Sequence, residues 1–491
     1  MTTDKKVLIT KNNIPENKAH AIVINKKAII MAIVIVMVLV ILAYVLTFIL
    51  PTGEYQRDNG TIIANSYVQK DMSGISWWQF LLSPLMILLP STAGFEMVWA
   101  ILILLLVIGA IFTALDESGI LVYMVQYLAK QFKSKKYALL FLLPLTFMFL
   151  GSTAGMFEEL IPLVPVVVML CYAMGWDALI GLGISILAAC FGFAAGVVNP
   201  FTVGVAQTLG GIVMFSGIGM RILTFVIAYL ILMAFIFPYA KKIEKNPKKS
   251  IVYKEDMIRK TEFQFDIDNF EIDKQKNKAL VWFACWLLAI VIIAMVSIAW
   301  HALADYVMFI TVAIYLIAGI GACLMCGLKG KKLLKQLGKG TITLLPAVAM
   351  ILVAGGIRYI IEQGDIMDTI IHFAVNMVNG QSPFVAVLII YLTIFIFEIF
   401  IPSGSAKAFL LMPMIYGICQ IMAINGQVAV LAFAFADGFA NVILPTNAGL
   451  LLILGLTTVD YGKWFRWSAK IQFTLLIATI GILALAFFVV Y

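Results

Sequence analysis

The sequence has 491 residues, 63% of them hydrophobic and only 12% charged, and its mean hydropathy is +1.04. Soluble domains carry about a quarter charged residues, so this composition excludes a soluble globular protein and indicates an integral membrane protein. The formal charge of +8 does not indicate a nucleic-acid partner, because Lys and Arg gather in loops beside apolar runs, where they set membrane orientation.

Apolar windows of about 18 residues or more recur along nearly the whole chain, the mark of transmembrane helices rather than of short alternating strands. The expected fold class is an all-α polytopic membrane protein. Residues 1–27 form a lysine-rich tail that the positive-inside rule assigns to the cytoplasm. The first span, Ala28 to Leu50, is long for a signal-peptide core and has no small-residue cleavage pattern before Pro51, so it reads as a retained helix. The mixed-charge segment after it belongs outside, with Trp77 and Trp78 as interface anchors. A span at Val98 to Leu115 returns inward, and the basic run from Lys130 to Lys136 marks the cytoplasm again.

The stretch GSTAGMFEELIP, Gly151 to Pro162, then interrupts the apolar pattern with small residues and two adjacent carboxylates, Glu158 and Glu159. Short apolar arms flank it, so residues 137–174 read as a re-entrant helical hairpin with its tip at Gly151 to Gly155. A second interruption, Asn199-Pro200, falls inside the apolar helix at 178–212. Residues 241–277 are polar and mixed in charge and read as a solvated cytoplasmic linker. The second half repeats the design with an outer hairpin at 383–424, whose tip is PSGSAK, and a helix at 427–458 interrupted by Pro445, Thr446 and Asn447. Gly151 to Pro162 and Pro402 to Pro413 are each eleven residues apart. Span counting brings the first block in from the cytoplasm and the second from outside, so residues 28–240 and 278–491 read as an inverted repeat.

Non-helical backbone at membrane depth must be buried in protein or line a wet cavity. Proline frees a carbonyl one turn earlier, and with Asn amides and Thr hydroxyls this supplies oxygen ligands for a cation or hydrogen bonds for a carboxylate. Glu158 and Glu159 either cap the opening turn of a hairpin arm or serve function, the default for an intramembrane carboxylate. Glu398, Lys407, Asp437 and Arg358 are further intramembrane ionisable residues, with a salt bridge open to Lys407. The four acids outnumber Lys407, so a cationic substrate or a coupling cation is expected.

Enzymatic chemistry finds no support. His20, His301 and His372 are dispersed, and no HExxH, Walker-type or GxSxG pattern occurs. The six cysteines are scattered through apolar segments, and Cys323 and Cys326 lack the second pair a zinc site requires.

The blocks GMFEE, NPFTVGVAQTLGG, FSGIGMRI, SGSAKAFLLMP, FADGFANVILPTNAGLL and DYGKWFRW resemble the YfcC-type carriers, which group with the DcuC-like C4-dicarboxylate carriers and the ArcD-type basic amino acid antiporters. The resemblance covers nearly the whole chain. It implies a member of the ion transporter superfamily, a scaffold that dimerises, and a transport domain of two hairpins and two broken helices working as an elevator. It places Ser152, Thr153 and Gly155 in the inner tip, Asn199, Pro200 and Thr202 in the first break, Ser403, Gly404 and Ser405 in the outer tip, and Pro445, Thr446 and Asn447 in the second break. The expected function is secondary active transport at the cell membrane, with amino acid exchange favouring arginine and ornithine. The tips would hold the α-carboxylate, and Glu158, Glu159 or Asp437 the cationic end. The alternative is a C4-dicarboxylate or related organic anion carrier in which Lys407 binds the substrate. No cofactor is expected beyond a coupling ion, Na+ near Asn199 and Asn447 or a proton. The expected partners are a small-molecule substrate, the bilayer and a second copy of the chain.

Overall fold

The computed structural model describes residues 26–58, 61–62, 66–71, 74–90, 95–262, 270–299, 306–378 and 380–491. The lysine-rich tail, His20 and His301 lie outside them. Among the described residues, eight helices are long and apolar enough to cross a membrane, or nine if the bent pair Gly330–Pro346 and Ile351–Gln363 is one span. With the family membership established below, this makes the chain a multi-pass membrane protein.

One group of helices packs together from both halves of the sequence: α1 (Lys26–Ile49), α2 (Trp77–Met86), α3 (Phe95–Glu117), α12 (Lys274–Ala299), α13 (Val307–Met325) and α14 (Gly330–Gln363). Its centre is α3 against α14, with α1 and α2 also on α14, and α13 bridging α3 and α12. Between α1 and α2 the chain forms two short antiparallel ladders, β1 (Thr52–Glu54) with β4 (Val68–Lys70) and β2 (Arg57–Asp58) with β3 (Thr61–Ile62). This small sheet departs from a purely helical expectation. It is fastened to α15 (Met367–Val378) by Arg57–Asp368 at 2.6 Å and by Tyr67 stacked on His372 at 4.0 Å.

The other elements form two similar series. In the first, α4 (Ile120–Phe132) leads into α5 (Lys136–Ala154), a turn, a 3-10 segment (Glu158–Leu163) and α6 (Val164–Ala173). There follow α7 (Ala178–Leu182), a π turn, α8 (Ala188–Ala195), a break, a second π turn (Pro200–Gly204) and α9 (Val205–Leu209). In the second, α16 (Pro383–Phe397) turns into α17 (Gly404–Ile421), and α18 (Gly426–Ala440) breaks before α19 (Ala448–Gly455). The pairings correspond: α5 lies on α8, α16 on α18, and α8 on α18. The α5–α8 approach is close enough that a side chain at Gly192 would strike the Met148 carbonyl, the use small residues have in membrane helix packing. Helices α10 (Ile218–Lys245) and α20 (Tyr461–Leu485) pack on each other, with α10 also on α8 and α20 on α18.

Two expectations are corrected here. The small-residue run is not the tip of the first hairpin: Gly151 to Ala154 complete α5, and the turn begins at Gly155. At 1.5 Å per residue the 19-residue α5 is about 28 Å long, long enough to span, because small residues continue a helix wherever a neighbour lies close. The polar linker is not simply solvated either. Its helix α11 (Tyr253–Glu262) buries Asp256 to 2% exposure, where the carboxylate accepts from Tyr172 Oη at 2.8 Å, Ala178 N at 2.9 Å and Thr458 Oγ1 at 3.0 Å. Glu255 pairs with Lys463. The linker therefore fastens the ends of both series.

Burial, and then the nearby charge of Asp177, push Asp256 up from 3.8 to about 6. A carboxyl whose pKa is higher in the docked state favours docking when protonated, so its contribution is complete below 3.8 and lost as pH rises through about 6. Protection of the α11 amides from hydrogen exchange, corrected for intrinsic rates, should be about tenfold greater at pH 5 than at pH 7.5. Equal protection at both pH values would remove Asp256 as the controlling group.

Candidate functional site

A cavity of ≈ 1170 Å³, counted to its open mouth, lies where the hairpin tips and the second break face α3 and α14. Its walls are mostly aliphatic, as small-molecule sites are, and its polar lining comes from Glu158, Arg358, Ser403, Thr446 and Asn447.

All of these polar groups except Arg358 are placed by a helix end or break. Gly155 caps α5 with φ +62°, and a Cβ there would stand 2.6 Å from Asn199 Oδ1, so the turn requires glycine for both conformation and space. The chain then starts the 3-10 segment with Glu158 and Glu159 in its first turn. Glu158 lines the cavity. Glu159 turns back to accept from Phe157 N at 3.3 Å, and its carbonyl accepts from Tyr315 Oη at 2.8 Å. The pair is thus divided between the two uses considered for it: Glu159 caps, and Glu158 faces the open space.

Ser403 is the N-cap of α17 and Asn447 that of α19. Asn447 Oδ1 accepts from Leu450 N at 2.9 Å while its amide donates to Asn441 Oδ1 at 2.6 Å. Thr446, 2% exposed, has a side-chain hydroxyl without a partner among the described residues. A buried hydroxyl left so is costly, and at a cavity wall it is available to a ligand. The N-terminal ends of α17 and α19 both border the cavity and favour negative charge there. Arg358, on α14, donates from Nε to Glu362 at 2.6 Å, and its two Nη groups make no hydrogen bond to described residues.

The remaining sequence-selected residues lie behind this wall. Ser152 and Thr153 donate their hydroxyls to the Phe149 carbonyl at 3.1 and 2.7 Å, and the Ser152 carbonyl accepts from Val198 N at 3.1 Å, tying the hairpin to the first break. Asn199 caps the segment begun by Pro200, accepting from Phe201 N at 2.9 Å, and Thr202 is fully buried; the Asn199 amide nitrogen and the Thr202 hydroxyl have no partner among the described residues. Pro445 sits half-buried in the second break, before Thr446. The outer tip begins earlier than the sequence indicates: Gly404, Ser405 and Lys407 already belong to the first turn of α17, because Ser403 is its cap.

Lys407 does not line the cavity. It is 0% exposed, pairs with Glu398 and stands 2.7 Å from Asp437 Oδ1. That corrects its assignment as a substrate contact, and Asp437, 0% exposed, likewise does not face the cavity. A charge at lipid depth stands out in the sequence, but that signal cannot tell a cavity wall from an internal ion pair.

Of the intramembrane ionisable candidates, Arg358 is the cation that reaches the cavity. A second arginine is one the sequence does not single out. Arg221, 0% exposed, donates to the carbonyls of Val197 at 3.1 Å, Phe215 at 2.8 Å and Ser216 at 2.9 Å. It thereby holds the end of the first break, and no feature of the sequence ties it to those carbonyls.

The family model described as C4-dicarboxylate anaerobic carrier, DcuC, matches residues 30–488. An Escherichia coli (strain K12) protein described as "Putative basic amino acid antiporter YfcC" is 28% identical over 384 residues, covering 76% of this chain and 74% of its own. A Haemophilus influenzae protein described as uncharacterized is 26% identical over 372 residues, covering 75% and 71%. Among solved structures, the Alcanivorax borkumensis YdaH transporter aligns with TM-score 0.46 at 13% identity over 93% of this chain and 98% of its own. Neisseria gonorrhoeae MtrF aligns with TM-score 0.43 at 15% identity over 94% and 96%. With the family match running from the first helix to the last, the chain belongs to the DcuC family of carriers and is a YfcC-type member of it.

Proposed function

We propose that the protein is a secondary active transporter of the cell membrane that exchanges amino acids and prefers basic ones of the arginine and ornithine type. The observation that carries this reading is that one cavity is lined by both signs of charge: Glu158 is its acidic group, while Arg358 on α14 and the N-terminal ends of α17 and α19 supply positive potential. An α-carboxylate fits the positive groups and a cationic side chain fits Glu158. The description of the Escherichia coli relative supports the same substrate class.

Exchange proceeds in this reading as an elevator. The two hairpin and broken-helix series are an inverted repeat that moves as one body against α3 and α14, which form one wall of the cavity. The scaffold pairs with that of a second copy, and the amino terminus is cytoplasmic, in keeping with its lysines. The counter-substrate is the coupling species. A second reading, an organic anion carrier of the C4-dicarboxylate type, is favoured by the family's description and by Arg358.

Counterflow in proteoliposomes decides between them. Internal ornithine should accelerate uptake of labelled arginine, and internal succinate should leave it unchanged. Succinate exchange without arginine flux would overturn the amino acid reading and leave Arg358 as the anion contact.

A further inference from the structure

The ammonium of Lys407 is held where water cannot solvate it. It hydrogen-bonds to Glu398 and to the Ile401 carbonyl at 3.2 Å, and it forms an ion pair with Asp437 Oδ1 at 2.7 Å. The groups come from three places: Glu398 follows α16, Lys407 lies in the first turn of α17, and Asp437 lies in α18 just ahead of the second break. Gly404 lies over the same carboxylate, since a Cβ there would be 2.9 Å from Asp437 Oδ2 and 2.9 Å from Thr202 Cγ2. One ammonium thus joins both sides of the outer tip to the helix of the second break, with the first break alongside.

Two buried carboxylates in contact cannot both stay charged without a cation between them. Here the chain supplies one, and the N-terminal end of α17, at Gly404, adds roughly half a positive charge beside Asp437. Glu398 Oε1 and both Asp437 carboxylate oxygens keep no hydrogen-bond partner among the described residues, so removing the ammonium would leave two buried carboxylates with no cation between them.

We infer that Lys407 is a tethered cation: its ammonium neutralises Glu398 and Asp437 from within the chain, so that the outer hairpin closes and the carrier works without Na+ as a coupling ion. Lys407 is then a positioning residue, set apart from the substrate by burial. This role does not depend on which substrate the cavity takes.

The test is thermal unfolding of the purified, detergent-solubilised full chain in NaCl and in choline chloride at equal ionic strength and pH. The wild-type midpoint should be the same in both salts. Lys407→Ala should unfold at lower temperature in choline and recover progressively as NaCl replaces it, because Na+ can enter the vacated carboxylate pair. Lys407→Arg should behave as wild type. A packing role alone would lower the Lys407→Ala midpoint equally in both salts, and that outcome overturns the inference. So does a wild-type midpoint that rises specifically with Na+, a measurement that stands even if Lys407→Ala does not fold. Substrate failure and failure of this inference remain distinguishable, since no substrate is present.

Discussion

Replacing Glu158 by Gln should abolish exchange of basic amino acids while leaving the protein folded. The side chain lines the cavity and is the one acidic group among its described lining residues, so it is the group available there to a cationic side chain. Glutamine keeps the shape and loses the charge. Truncating one partner of a desolvated charge pair costs about 2 to 5 kcal/mol, which is roughly 30-fold to several thousand-fold in affinity. Arginine counterflow should therefore fall below detection at concentrations that saturate the wild type, with the melting midpoint preserved. Glu159→Gln is the internal control: its carboxylate accepts from Phe157 N, and a neutral amide oxygen can do the same, so exchange should survive. Equal arginine affinity in Glu158→Gln and wild type would remove the acid from the site.

The division between these neighbouring acids marks what a sequence can and cannot disclose. Apolar length located the helices, and the Ser/Gly-rich tips with their Asn-Pro and Pro-Thr-Asn partners located both breaks, because helix interruption at membrane depth needs those residue types. Asn199 and Asn447 cap the segments that resume after each break, as their positions imply. Side-chain direction was not legible. Glu158 and Glu159 differ by about 120° of rotation in a 3-10 turn, enough to send one to the cavity and the other to a backbone N–H. Lys407 and Arg358 are both lone cations in apolar windows, yet one meets two carboxylates from elements 9 and 30 residues away and the other borders an open cavity. The linker departs from its solvated expectation for a related reason. Its composition is that of a solvated segment, and only the tertiary fold brings Tyr172, Ala178 and Thr458 to Asp256.

Arg358→Ala should separate the two ends of the substrate. Arg358 lies on α14, so it presents its guanidinium from the wall opposite the tips, and it borders a second cavity lined by Glu54, Arg57, Glu362, Asp365 and Asp368. It borders both cavities, so a carboxylate passing from one to the other meets its guanidinium. A hydrogen bond to a charged group contributes about 1.5 to 3 kcal/mol, so Arg358→Ala should lower the affinity for arginine about 10- to 150-fold. Arg358→Lys should recover part of it, since the charge remains while the planar fork is lost. Agmatine, which is arginine without the carboxylate, gives the decisive comparison: its weak competition should be the same for wild type and Arg358→Ala, and should vanish in Glu158→Gln. If α14 stays fixed while the tips move, the loss in Arg358→Ala will also be unequal from the two faces of the membrane. Oriented vesicles assayed from each side would measure that difference, and equal losses would place Arg358 on the substrate's path in both states or on neither.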